Sequence, residues 1–184
     1  MTNREVLWKP FTANREFNLA PKIFVESDGM YYTTDKGEKI LDAVSGLWCC
    51  NLGNNYPTVV EAIKEQAGKM YYSPAFQIGN ELELELAKEL VSISPEGLNH
   101  AFFTNSGSES VESALKMALA YHKAVGNSSK TMIIGREHSY HGVNFGGISV
   151  GGLVNNKRQY NNLIKVAHIP TILDTEKNAF SKGM

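Results

Sequence analysis

Ala101-Phe102-Phe103-Thr104-Asn105-Ser106-Gly107-Ser108-Glu109-Ser110 leads without interruption into Val111 to Val125. The apolar start reads as a buried strand, and the small polar residues around one glycine read as a tight turn. Val111, Leu115, Ala118 and Val125 then recur at helical spacing, and Gly126-Asn127 supplies a stop. A helix start leaves backbone N–H groups unpaired at the positive end of the helix dipole, so Ser106, Gly107 and Ser108 could cradle a phosphate. Gly107 permits close backbone approach, and the two hydroxyls add donors. The same residues also make an ordinary cap, with Glu109 at capping-box spacing from Ser106, and the pattern alone leaves both readings open. No Gly-x4-Gly-Lys-Ser/Thr and no Gly-x-Gly-x-x-Gly after a strand occurs, which counts against the ordinary nucleotide folds.

Working outward, the 184 residues are 42% hydrophobic and 20% charged, enough for one substantial core or parts of two. A net charge of -1 and a pI near 6.5 predict no general attraction to nucleic acid or anionic membrane. The N-terminal residues carry no apolar signal core and no Arg-rich amphipathic run, and no stretch has the length of a membrane span, so a cytoplasmic location is expected. Cys49 and Cys50 are adjacent, a poor geometry for a disulfide, and read as buried reduced thiols. His138-x-x-His141 has no neighbouring Cys or carboxylate and is followed by Gly142, so loop histidines are expected and no metal.

Leu7-Trp8-Lys9-Pro10-Phe11 is an aromatic arm too short for a core of its own. Ile23 to Glu26, Met30 to Thr34 and Ile40 to Val44, separated by turns at Ser27-Asp28-Gly29 and Asp35-Lys36-Gly37, predict an antiparallel meander. Ser45 to Gly53 is a glycine-bounded loop around Trp48. Pro57 opens a helix to about Met70, with Val60, Ile63, Lys64 and Ala67 at helical spacing. After the aromatic loop Tyr71 to Phe76, Asn80 caps a helix to about Ile93 whose Leu82, Leu86 and Leu90 predict a buried stripe. Thr131 to Gly135 and Ile164 to Ile169 read as strands, with Ser139-Tyr140-His141-Gly142 and the glycine-rich run Gly146 to Gly152 between them. Helices alternating with strands from residue 57 onward predict an α/β fold with a mostly parallel sheet.

Gly46-Leu47-Trp48-Cys49, the run Phe102 to Lys116 and Ser139-Tyr140-His141-Gly142, in this order, resemble the class III aminotransferases. Phe145 to Gly152 with Val154-Asn155-Asn156 is similar to their β-alanine (omega-amino acid):pyruvate branch, and the likeness runs from about Leu7 to Gly183. The resemblance implies the pyridoxal-phosphate-dependent transferase fold of type I. Residues 1–55 would form the arm and small-domain meander, and 56–184 the first part of the large cofactor-binding domain. It also implies that Met132 to Ile134 pairs in parallel with Lys165 to Ala167, while Phe102 to Thr104 makes no ladder with Met132 to Ile134.

For the site, the resemblance implies pyridoxal 5'-phosphate held by Ser106, Gly107 and Ser108, with Tyr140 stacked on its ring and His141 and Gly142 beside it. A tyrosine suits that place because its flat face covers a ring while its hydroxyl reaches a polar partner. Trp48 and Phe76 would wall the substrate pocket. The Schiff-base lysine and the aspartate that pairs with the pyridinium nitrogen would lie beyond residue 184, so no catalytic residue is assigned here. Asn51 to Tyr56 departs from the family's pattern. The implied activity is transfer of an amino group from an omega-amino acid or amine to the keto acid pyruvate, by a homodimer when full length. An aminomutase or decarboxylase on the same scaffold, or a non-catalytic cofactor-binding relic, are the alternatives.

Overall fold

A computed structural model describes residues 6–160 and 162–172, and the chain divides into two compact units, Met1–Leu84 and Glu85–Met184. The C-terminal stretch of the likeness that runs to about Gly183 lies outside the described residues.

In the first unit, helix α1 (Asn14–Leu19) precedes strands β1 (Phe24–Asp28), β2 (Tyr31–Thr34) and β3 (Lys39–Leu41). They form the expected antiparallel meander, with Ser27 opposite Tyr32 and Tyr32 opposite Ile40. Phe24 stacks on Tyr32 with ring centroids 4.6 Å apart, the kind of same-face pair that stabilises a twisted sheet. The second turn is closed by buried Thr34, whose hydroxyl accepts from Lys36 N at 3.3 Å and Glu38 N at 3.1 Å. Asn54 returns to the first turn and exchanges two backbone hydrogen bonds with Gly29, at 3.1 and 2.6 Å. Helix α3 (Pro57–Lys69) begins with Pro57 in its first turn, where its missing N–H costs nothing and its fixed φ suits the helix. Between β3 and α3 lies the short turn α2 (Ser45–Trp48).

Helix α4 (Glu81–Ser92) starts where Asn80 Oδ1 accepts from Glu83 N at 3.0 Å, as the capping residue predicts. Its leucine stripe is corrected by the structure: Leu82, Leu86 and Leu90 are exposed. Helical periodicity marks a face that prefers burial, but a partner must lie against that face to bury it. The thiols are likewise not buried as expected. Both are free, with Cys49 exposed and Cys50 half-buried, because the turn ahead of them stands on the surface.

In the second unit, helix α5 (Gly107–Ala124) ends in a Schellman motif, with Asn127 N donating to His122 O at 2.7 Å and Gly126 N to Lys123 O at 3.2 Å. Gly126 adopts φ +81° there, the left-handed conformation this motif needs. Strands β4 (Ile133–Arg136) and β5 (Val166–Ile169) pair in parallel, Ile133 opposite Val166 and Ile134 opposite Ala167. That is the expected pairing and register. Phe102 to Thr104 makes no ladder with β4, as the resemblance implies, but it is in no strand, which corrects the reading of this run as a buried strand. The apolar run has strand-forming residues, but a strand exists only where a neighbour takes its N–H and C=O groups.

The glycine-rich crossover between β4 and β5 carries helical structure. It contains helix α6 (Phe145–Val150), followed by α7 (Val154–Lys157). Helix α6 is the best-buried element described, with Ser149 at 1% and Val150 at 5% exposure. Ser149 Oγ donates to Phe145 O at 2.6 Å and accepts from Leu163 N at 3.0 Å. His168 Nε2 on β5 lies 3.0 Å from both Val150 O and Gly151 O, so it donates a shared N–H to the carbonyl end of α6. Glycine is a poor helix former, yet α6 and the residues after it need it: a Cβ on Gly147 would overlap the His141 carbonyl, and one on Gly152, just past the helix, the Arg136 carbonyl.

Candidate functional site

The start of α5 is built by local capping. Ser106 Oγ accepts from Glu109 N at 3.2 Å. Glu109 Oε2 reaches back to Asn105 N at 3.0 Å, one residue before the N–H that the ideal capping box uses. These bonds satisfy Glu109 and Asn105. The N–H groups of Gly107 and Ser108 have no acceptor among the described residues, so they remain free at the positive end of an 18-residue helix.

A cavity of about 340 Å³ opens in front of them, lined by Ser106, Gly107, Ser108, Val111, Tyr140, His141 and Gly142. All six residues expected to hold the cofactor therefore line one cavity of the second unit. Tyr140, Ser139 and their neighbours follow β4 through a turn in which His138 takes φ +63° and Gly142 φ +97°. The Tyr140 side chain is half exposed, at 56%, and free to cover a ring. Gly142 is required twice over. Its φ disfavours any side chain, and a Cβ would lie 2.7 Å from Ser108 Oγ and 2.9 Å from Ser108 Cα. The Ser108 hydroxyl accepts from Val143 N at 3.0 Å, which leaves its own hydrogen for an anion.

These features fit a phosphate. Two unpaired N–H groups, one hydroxyl donor and a glycine that admits close approach converge on a cavity wall with no carboxylate among its lining residues. No lysine lines this cavity either. A larger cavity of about 570 Å³ in the first unit is lined mostly by apolar residues such as Val59, Ile63, Met70 and Leu82 and presents no charged group for chemistry.

Trp48 and Phe76 belong to the first unit, at 81% and 85% exposure. Trp48 sits on an unusual support. Ser45, Gly46, Leu47 and Trp48 have φ of 50°, 57°, 57° and 70°, so α2 is a left-handed turn. Each non-glycine residue in that region costs about 1–2 kcal/mol. Asp42 offsets part of this by accepting from Val44 N at 3.2 Å and Gly46 N at 2.8 Å, one bond per carboxylate oxygen. Trp48 N to Val44 O at 3.1 Å and Cys50 N to Ser45 O at 2.9 Å complete the turn. Partial burial first, and then the Asp42 charge, raise the pKa of the nearby Tyr32 phenol. Sequence reasoning missed Asp42, although a carboxylate just before a Ser-Gly pair is a common device for closing a turn. Asp42→Ala is expected to cost about 1–2 kcal/mol in urea denaturation and to remove hydrogen-exchange protection at Gly46. Asp42→Asn, which keeps one acceptor, should fall between.

The family described as aminotransferase class-III matches residues 12–181. The chain is 48% identical over 180 residues to an omega-aminotransferase of Caulobacter vibrioides, covering 97% of this chain and 41% of that one. It is 43% identical to a beta-alanine--pyruvate aminotransferase of Pseudomonas aeruginosa, covering 99% of this chain and 40% of that one. Among solved structures, the adenosylmethionine-8-amino-7-oxononanoate aminotransferase of Methanocaldococcus jannaschii superposes with a TM-score of 0.89 at 35% identity, over 95% of this chain and 40% of that one. An omega transaminase of Pseudomonas jessenii in complex with PMP gives 0.85 at 27% identity, over 91% and 38%. The chain thus spans about 40% of the length of the curated relatives it matches first.

Proposed function

Because this chain belongs to the class III aminotransferases, a family that works with pyridoxal phosphate, we propose that it supplies the cofactor-phosphate and ring-stacking half of an omega-amino acid:pyruvate aminotransferase. The observation that carries this reading is the cavity in which the unpaired N–H groups of Gly107 and Ser108 face the Tyr140-His141-Gly142 turn. The identities to omega-aminotransferase and beta-alanine--pyruvate aminotransferase support the substrate class.

Bound there, pyridoxal phosphate supplies an electron sink for the bonds at the amine-bearing carbon. The chain's own residues anchor and orient. Gly107 and Ser108 direct N–H groups at the phosphate, and the Ser108 hydroxyl adds a third donor. Tyr140 would cover the ring and keep water from it, with His141 and Gly142 lining the same cavity. Trp48 and Phe76 are proposed to face the amino donor, with shape and apolar area as their means of selection. The proton-transfer lysine is proposed to come from outside these residues, since none lines the cavity. We propose that residues 1–55 are the arm and small-domain meander and 56–184 the first part of the large domain, a division by role that differs from the two compact units, and that the working form is a homodimer.

The test uses two samples. The complete native polypeptide, supplied with pyridoxal phosphate, should convert β-alanine and pyruvate to alanine and the corresponding semialdehyde. The 184-residue chain alone should give no turnover, because an unplaced surface lysine lacks the proximity that makes proton transfer fast. Turnover by the isolated chain would overturn the assignment of the base. Failure of the complete polypeptide with every omega-amino acid tried would overturn the substrate class.

A further inference from the structure

The face of α5 that carries Ser108 also carries Glu112, one helical turn later. Both side chains accept from the same distant segment: Ser108 Oγ from Val143 N at 3.0 Å, and Glu112 Oε1 from Gly147 N at 2.8 Å, 35 residues away in each case. We propose that Glu112 is a positioning residue that fixes the Tyr140 turn against the phosphate cradle. This rests on the cofactor site described above and adds a residue that touches neither phosphate nor ring.

The Gly147 N–H is one of the orphan donors at the start of α6, and the capping residue Asn144 makes no side-chain bond of its own. Glu112 therefore caps α6 from another helix, and its negative charge meets the positive end of α6. Glu112 is half-buried and forms no ion pair among the described residues. The Gly147 N–H is thus its hydrogen-bond partner among the described residues. The glycines beneath it leave room for this approach. A Cβ on Gly146 would lie 2.7 Å from Glu112 Oε1 and 2.9 Å from Oε2, and one on Gly142 would strike Ser108. The clamp has two jaws, at Val143 and Gly147, and Tyr140 precedes the first by three residues. With both closed, the Tyr140 backbone is held at a set distance from Gly107 and Ser108. With the Glu112 jaw open, α6 loses this cap, and Ser108 is the one α5 side chain still bonded to the segment among the described residues, the turn otherwise resting on its own bonds at Ser139 and Gly152.

The experiment compares Glu112→Ala, Glu112→Asp and Glu112→Gln in the complete native polypeptide. Its readouts are pyridoxal phosphate affinity, the visible circular dichroism of the bound cofactor, and amide exchange at Gly147 in the cofactor-free protein. Glu112→Ala and Glu112→Asp, which remove or retract the acceptor, should each weaken cofactor binding by about tenfold, reduce the dichroic band and speed Gly147 exchange. Glu112→Gln keeps an acceptor oxygen at the same reach and should hold all three much closer to wild type than either other variant, short only of the contribution of the charge. If Glu112→Ala does not fold, Glu112→Asp against Glu112→Gln makes the same comparison. Faster Gly147 exchange with affinity and dichroism unchanged would overturn the proposal, since the cap would then serve α6 alone. Ser108→Asp separates this from the site itself: if that change also leaves affinity untouched, the cradle is misplaced, whereas if only the Glu112 variants are silent, the clamp alone fails.

Discussion

Ser108→Asp is expected to weaken pyridoxal phosphate binding by about 100-fold, equivalent to roughly 2.7 kcal/mol. The wild-type hydroxyl can accept from Val143 N and donate outward at once. Ionised aspartate still accepts from Val143 but cannot donate, so a charge-assisted bond of roughly 1.5–3 kcal/mol is lost. It also sets a negative charge beside a phosphate. Because the second phosphate ionisation falls near pH 6, the ligand gains charge as pH rises through that value, and the penalty should be larger at pH 8 than at pH 5. Ser108→Ala removes the donor, and the acceptor of Val143 N with it, without adding charge, and should cost about tenfold, nearly independent of pH. Fluorescence titration of the complete native polypeptide at the two pH values checks both, and equal affinity for wild type and Ser108→Asp would remove the cradle from the argument.

The largest effect on stability is expected from Gly135→Val, about 3 kcal/mol by urea denaturation. Gly135 is the buried residue of β4. A Cβ there would overlap the Val150 carbonyl oxygen and lie 3.3 Å from Val150 Cγ1. The obstacle is backbone at the end of α6, so it cannot swing aside like a flexible side chain, which puts the change at the upper end of the usual overpacking cost. Displacing α6 would also draw Val150 and Gly151 away from His168 and Gly147 away from Glu112. Loss of cofactor affinity should accompany the loss of stability. Ile134→Val on the same strand is the control. Ile134 is 63% exposed, so that change should stay within about 0.5 kcal/mol.

The two variants probe different kinds of information in the chain. The anion cradle was legible because its parts are local. An N-cap serine, a glycine and a helix start occupy consecutive positions, and their chemistry follows from the ends of any helix. The meander, α3, α4, α5 and the Gly126 stop were legible for the same reason: alternation, 3.6-residue periodicity and capping all act over a few residues. Family motifs in order added the pairing of β4 with β5, which no local pattern contains.

Tertiary contacts decided the rest. Gly146 to Gly152 reads only as a glycine-rich run between two strands, yet Gly146 and Gly147 belong to the best-buried helix described because the Glu112 carboxylate and the His141 carbonyl leave no room for a Cβ. Four successive positive φ values at Ser45 to Trp48 need the carboxylate of Asp42 to hold them, and residue preference would predict such a conformation for Gly46 alone. Leu82, Leu86 and Leu90 repeat at the spacing of a buried face and are exposed, and Phe102 to Thr104 has the composition of a strand without a ladder. Sequence by itself determined where this chain can turn, cap and coil, since those choices depend on neighbours a few bonds away. Which apolar faces are covered, which glycines are obligatory and where Tyr140 stands depend on atoms tens of residues away, and only the folded contacts decided them.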